Sequence, residues 1–307
     1  MNRRTFLTQA TMLASLSSVL PAMPPFLYPA SFSISLAQWS LHRTLFSGQL
    51  HPLDFPVVAR KTYGIEAVEY VNQFFLVSEL FVAELKRRAD GEGVKNLLIM
   101  VDDAGRLGDA DTKLRRNAIE RHLVWLDIAR ALGCHSIRVN ARSDGTAEEQ
   151  TKLMADGLRQ LGDEAGLRDL NVIVENHGGF SSHGDWVAHL MRTLGHAHVG
   201  TLPDFGNWYP AAEYGGPSPE GLAGPHYDRY KGVEEMMPFA RGVSAKSYAF
   251  NAEGNETSTD FRRMLRIATG HGFSGYVGIE YEGSVLSEHD GILATKQLLE
   301  RARAELG

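Results

Sequence analysis

Cysteine is nearly absent: Cys134 is the only one in 307 residues. No intrachain disulfide can form and no thiolate cluster can be assembled, so any metal must sit on oxygen and imidazole donors. Basic residues are outnumbered, 31 against 37 acidic, for a formal charge of −6. There is no global field to hold a polyanion, and nucleic acid is not an expected partner. No apolar run reaches the about 20 residues that a membrane-spanning helix needs, so no stable membrane anchor is expected either. With 43% apolar and 22% charged residues, 31 glycines and 12 prolines, the composition excludes fibrous, coiled-coil and wholly disordered chains. What is left is a globular chain long enough for one large core, and compatible with a homo-oligomer.

The first thirty residues contain no Asp or Glu, carry Arg3 and Arg4 side by side, and run uncharged from Ala10 to Leu20 before Pro21. That is a charged n-region followed by a short h-region. The segment NRRTFLT resembles the twin-arginine export motif, in which paired arginines precede a Phe-Leu pair, here Phe6 and Leu7. The resemblance implies a signal peptide over residues 1–30, with Ala22 or Ala30 as the last residue removed. It also implies passage through the twin-arginine translocation machinery and a periplasmic or extracytoplasmic protein made of residues 31–307.

Short apolar runs rich in β-branched residues recur at Ile34–Trp39, Ala67–Val71, Leu97–Val101, Ser136–Asn140, Val172–Glu175, Val199–Pro203, Gly242–Ser247 and Tyr276–Tyr281. They read as buried parallel strands. Helical spacing fills the intervals, as at Ser78–Gly91, Lys113–Leu132, Glu148–Gly166, Asp185–Leu194 and Asp260–His271, and Gly91, Gly133, Gly166 and Gly272 read as left-handed stops. Eight strand-helix units predict an α/β protein, a single (β/α)8 TIM barrel, since each parallel strand needs a helical crossover. No glycine-rich dinucleotide fingerprint follows the first strand, which disfavours a doubly wound sheet.

In such a barrel the chemistry sits at the C-terminal ends of the strands. Strand five ends in IVENHGG, with Glu175 and His177 on one parity; strand six in TLPDFGNW, with Asp204 and Asn207; strand seven reads VSAKS, with Ser244 and Lys246; strand eight reads GIEYEG, with Glu280 and Glu282. Carboxylates closing apolar runs carry a heavy desolvation penalty unless paired, hydrogen-bonded or bound to a cation. Carboxylates from three strands meeting at one mouth point to a bound divalent ion. Hard oxygen donors suit Mn²⁺, Mg²⁺ or Co²⁺, with Zn²⁺ also compatible.

These three motifs, in this order, resemble the xylose isomerase-like TIM barrels of the sugar phosphate isomerase/epimerase superfamily, from about Ser33 to the C-terminus. The resemblance implies a metal held by Glu, Asp, His and Glu from strands five to eight, which by position gives Glu175, Asp204 and Glu280. The family's histidine falls on Ser244, a poor ligand. The resemblance further implies Glu175 and Glu280 as acid and base on opposite faces of a carbohydrate substrate, with Lys246 and His177 as alternative proton carriers. The expected reaction is isomerisation or epimerisation, by proton transfer next to a carbonyl through an enediolate. A lyase or hydratase acting on keto-sugars or keto-glycosides is the alternative, and a catalytically inactive sugar-binding barrel is another. His42, Glu69, Asn140, Arg142, Asn207, His226 and Arg229 are the expected substrate-binding residues, the last two from a long Gly- and Pro-rich loop spanning Gly206–Gly232.

Overall fold

A computed structural model describes residues 32–209 and 226–306. The expected signal peptide and most of the loop after the sixth strand lie outside those residues. Eight parallel strands form one sheet: β1 (Ser33–Ala37), β2 (Ala67–Val71), β3 (Lys95–Met100), β4 (Ser136–Asn140), β5 (Asn171–Glu175), β6 (Val199–Leu202), β7 (Val243–Ser247) and β8 (Tyr276–Tyr281). Their order is β6-β5-β4-β3-β2-β1-β8-β7. The ring closes between β6 and β7 through parallel bridges at Thr201–Ala240 and Asp204–Ser244. There the Arg241 N–H donates to the Thr201 carbonyl at 3.0 Å and the Ser244 N–H to the Pro203 carbonyl at 2.9 Å. The expected (β/α)8 barrel is therefore the observed fold.

Helices α1 (His42–Phe46), α2 (Phe55–Tyr63), α3 (Glu79–Gly91), α4 (Thr112–Leu132), α5 (Ala147–Gly166), α6 (Gly184–Leu194), α7 (Arg229–Met236), α8 (Phe261–Gly270) and α9 (Glu288–Leu306) alternate with the strands. Their starts follow from local chemistry. Ser78 accepts from the Phe81 N–H, Asp111 from those of Lys113 and Leu114, and Thr146 forms a reciprocal capping box with Glu149. Among the described residues no helix is long and apolar enough to cross a membrane.

Two of the expected glycine stops hold: Gly133 and Gly272 adopt φ of +80° and +77°. Gly91 and Gly166 do not, for each is the last helical residue, and at Gly91 the left-handed turn falls two residues later, on Gly93. Gly166 is needed for room instead, because a Cβ there would stand 2.8 Å from the His198 ring. The loop expected to run to Gly232 is also shorter. Asp228 caps the Tyr230 and Lys231 N–H groups and starts α7, and Gly232 lies inside that helix because Trp208 packs flat on it, 2.0 Å from where a Cβ would be.

Strand parity sorts the core into two layers. Leu36, Val68, Tyr70, Ile137, Val139, Val172, Val174, Val277 and Ile279 are fully buried in the apolar layer, each worth about 1.5–3 kcal/mol of transfer free energy. The opposite parity carries Ser35, Glu69, Arg138, Glu175, Ser244, Lys246 and Glu280, all buried and paired between neighbouring strands, Ser35 with Glu69, Arg138 with Glu175, and both Ser244 and Lys246 with Glu280. A polar interior of this kind positions the site.

Candidate functional site

Glu175 closes β5, and the next residue locks the neighbouring strand end. Asn176 Nδ2 donates to the Asp204 carbonyl at 3.0 Å while its Oδ1 accepts the Asp204 N–H at 2.7 Å. Asp204 then folds the chain back on itself, its Oδ1 accepting the N–H groups of Gly206 and Asn207 at 2.8 Å each. Gly206 gives the Lys246 stem room to cross, since a Cβ there would lie a tight 3.0 Å from it. The outcome is that oxygens of Glu175, Asp204 and Glu280 converge to within 4.8 Å of one another, all three residues buried.

Each carboxylate is held by named donors. Glu280 accepts the Ser244 hydroxyl on Oε2 at 2.8 Å and faces the Lys246 ammonium through Oε1 at 3.2 Å. Lys246 also reaches Glu282 at 3.2 Å and Asn207 Oδ1 at 3.3 Å. Glu175 Oε1 accepts Asn207 Nδ2 at 3.0 Å, and Oε2 lies 2.8 Å from Arg138 Nε, off the N–H direction, an ion pair without an aligned hydrogen bond. Asp204 Oδ2 is buried and makes no aligned hydrogen bond, although the nearby Ser244 hydroxyl favours the ionised carboxylate.

Electrostatics separates the two glutamates. Burial raises the pKa of Glu175, and the neighbouring Glu280 adds to this against the pull of Arg138. Burial also works against ionising Glu280, yet Lys246, Arg138 and the Ser244 hydroxyl outweigh it and hold that carboxyl below its usual range. Asp204 is raised, chiefly by burial. Burial, reinforced by Lys246 and Arg138, lowers His177 to about 3, so its imidazole is neutral at ordinary pH. Two carboxyls pushed in opposite directions across one space are the arrangement that acid-base work requires.

The donor set fits a divalent cation. Three carboxylates against two cations, Arg138 and Lys246, leave the cluster negative when all are ionised, and Asp204 Oδ2 is buried without an aligned hydrogen bond. With carboxylate oxygens and no sulfur in the set, Mg²⁺ and Mn²⁺ suit it best.

The expected residues divide by place. Asn207 joins the cluster, binding both Glu175 and Lys246. Asn140 stands one shell out, its Nδ2 donating to Asp102 Oδ1 at 2.9 Å, and Arg142 lies beside it, half-buried. Glu69 sits lower in the barrel, folded over Gly278. At the rim His42 stacks on Trp39 at 4.9 Å and donates from Nδ1 to the Trp39 carbonyl at 2.7 Å. His226 is exposed, and Arg229 hydrogen-bonds to the Thr259 hydroxyl. His177 is not in the converging group. Sequence reasoning missed Arg138, buried on β4 and paired to both Asp102 at 2.7 Å and Glu175. Parity was the signal: Ser136, Arg138 and Asn140 share the barrel-facing side of their strand.

The profile of the xylose isomerase-like TIM barrel proteins matches residues 58–304. The chain belongs to that family. Solved structures agree on the fold. A xylose isomerase-like barrel from Mycobacterium smegmatis, in complex with magnesium, is 16% identical with a TM-score of 0.62, over 92% of this chain and 100% of that one. The IOLI protein, with a zinc atom bound, is 13% identical with a TM-score of 0.67, over 90% and 99%. The apo form of the 3-keto-D-glucoside 4-epimerase from E. coli is 16% identical with a TM-score of 0.62, over 89% and 100%. Among curated proteins, no sequence matches.

Proposed function

We propose that this family member is a divalent-metal-dependent carbohydrate isomerase or epimerase that moves a proton next to a carbonyl. The convergence of Glu175, Asp204 and Glu280, with Asp204 Oδ2 making no aligned hydrogen bond, carries the reading. A metal ion held by these three would polarise the substrate carbonyl and stabilise the charge that grows on its oxygen by several kcal/mol. Everything else is done by the chain. Glu280, kept ionised by Lys246, takes the proton from the carbon beside the carbonyl. Glu175, held through Asn207 and Arg138, returns one from the other face, and general acid-base help of this kind is worth about 10²–10⁴ in rate. Lys246 steadies Glu280 as its charge changes. The likeness to a keto-glucoside epimerase and to metal-containing barrels supports the choice of substrate class and cofactor.

Purified protein supplied with Mg²⁺ or Mn²⁺ should exchange deuterium from heavy water into a ketose or keto-glycoside at the carbon next to the carbonyl. Glu175→Gln and Glu280→Gln should each slow that exchange at least a hundredfold. Full exchange in both variants would remove the assignment. Release of an aglycone, in place of simple exchange, would mark the enzyme as a lyase.

A further inference from the structure

The chain leaves β1 through a short 3-10 helix, Gln38–Leu41, and two side chains of that turn stand in for backbone. β1 pairs with β8 only as far as Leu36 opposite Ile279, one residue short of Glu280. From there the Ser40 hydroxyl takes over the ladder. It donates to the Ile279 carbonyl at 3.0 Å and accepts the Tyr281 N–H at 3.0 Å, so one side chain holds the peptide groups on both sides of Glu280. Ser40 and Tyr281 are fully buried, and bulk water cannot replace the hydroxyl. A hydroxyl has a single proton to give, and an apolar side chain here would leave a buried donor and a buried acceptor unpaired. Gln38 pegs the same turn to β2, its Oε1 accepting the Val71 N–H at 2.9 Å, which fixes where Ser40 stands.

On the other edge of β8 the Glu282 N–H donates to the Ser247 carbonyl of β7 at 3.0 Å, and Glu280 lies in register with Lys246. The segment carrying Glu280 is thus gripped by backbone on one side and by one serine on the other. Asn176 treats Asp204 alike, bonding both its N–H and its carbonyl. Two of the three converging carboxylates therefore have their peptide groups clamped by a buried polar side chain from another segment. Such clamps matter because a carboxylate at a strand end takes its aim from the backbone, and a constellation of this kind works only within about 0.5 Å and 10–20°. A small divalent ion is equally strict, Mg²⁺ asking for oxygens at about 2.0–2.1 Å. We propose that Ser40 is a positioning residue for Glu280, setting the aim of that carboxylate through the backbone. This rests on the metal site and the reaction proposed above.

Ser40→Ala strands both peptide groups. It should bind Mn²⁺ at least tenfold more weakly than the parent by calorimetry, and exchange deuterium into a ketose at least tenfold more slowly. Ser40→Cys keeps a longer and weaker donor and acceptor and should fall between the two. Tyr70→Phe is the comparison for lost stability alone, since it removes a buried hydrogen bond to Asn96 Oδ1, 2.7 Å long, in the apolar layer. That variant should unfold at lower urea and keep the parent's Mn²⁺ affinity and exchange. Parental affinity and exchange in folded Ser40→Ala, or equal losses in Tyr70→Phe, overturn the role. If Ser40→Ala does not fold, Ser40→Cys decides by the same criteria. A parent that binds Mn²⁺ without exchanging deuterium removes the reaction, and Ser40 is then judged by affinity. A parent that exchanges without binding Mn²⁺ removes the metal, and Ser40 is judged by exchange. A parent that does neither removes the role together with the metal and the reaction.

Discussion

Ser244 donates its hydroxyl proton to Glu280 Oε2 at 2.8 Å, from the position where the family resemblance places an imidazole ligand. A neutral hydroxyl that spends its proton on a neighbouring carboxylate contributes little to a cation, whereas a neutral imidazole nitrogen is a true ligand. Ser244→His should therefore tighten Mn²⁺ binding at least tenfold by isothermal calorimetry. The position is buried, so the larger ring should also cost about 1–3 kcal/mol of stability. Unchanged affinity in a folded variant would show that the fourth position is not reachable from β7.

Arg138 should matter to stability as much as to chemistry. Its guanidinium bridges Asp102 and Glu175 at 2.7 and 2.8 Å with all three side chains buried. Arg138→Met leaves two carboxylates without their counter-ion, and breaking a buried pair in this way costs about 3–5 kcal/mol. Adding Asp102→Asn to that variant removes one of the stranded charges, and urea unfolding should show part of the loss recovered. Strictly additive losses would mean that Arg138 and Asp102 are not coupled.

The strands were legible because β-branched runs bounded by glycine and polar residues admit few other readings, and in a closed barrel both faces of every strand are buried. The boundary at β6 differs by one residue because Pro203, lacking an N–H, ends the ladder at Leu202 while its carbonyl still accepts from Ser244. Glu175, Asp204 and Glu280 were legible because a carboxylate ending an apolar strand needs a partner. Arg138 was only partly legible: alternation in SIRVN places it on the barrel side with Ser136 and Asn140, but its role depends on Glu175 of β5 and on Asp102 just after β3.

The export expectation has a direct test. If NRRTFLT is read by the twin-arginine machinery, Arg3→Lys together with Arg4→Lys keeps the charge and should still hold the protein back, because the receptor reads the arginine pair itself. The carboxylates proposed to hold the metal come from β5, β8 and the segment after β6 and cannot meet before the barrel closes, so metal binding would be linked to folding. The retained pool should accordingly be folded and metal-bearing when the cells are fractionated and its metal measured. Normal delivery of the double variant to the periplasm would remove the export reading.

Glu69 offers the clearest pH dependence. Its Oε1 accepts the Ser35 hydroxyl at 2.6 Å, while Oε2 is buried without a partner. The carboxyl lies so close over Gly278 that a Cβ there would stand 2.6 Å from Oε1. Burial, only partly countered by the Ser35 bond, raises its pKa from 4.5 to about 7. Between those values the folded protein carries a proton that the unfolded chain has released. The stability this group contributes is thus fully present below about pH 4.5 and is lost as pH rises through about 7. At about 1.4 kcal/mol per pH unit the loss amounts to about 3 kcal/mol. Glu69→Gln keeps the shape and an acceptor for Ser35 but cannot ionise. Urea unfolding should find the variant about as stable as the parent near pH 4.5 and about 3 kcal/mol more stable above pH 8, a difference in which the other titrating groups cancel. The same gap at both pH values would mean that Glu69 is already ionised in the folded barrel, with a counter-charge closer than Arg138 supplying the compensation.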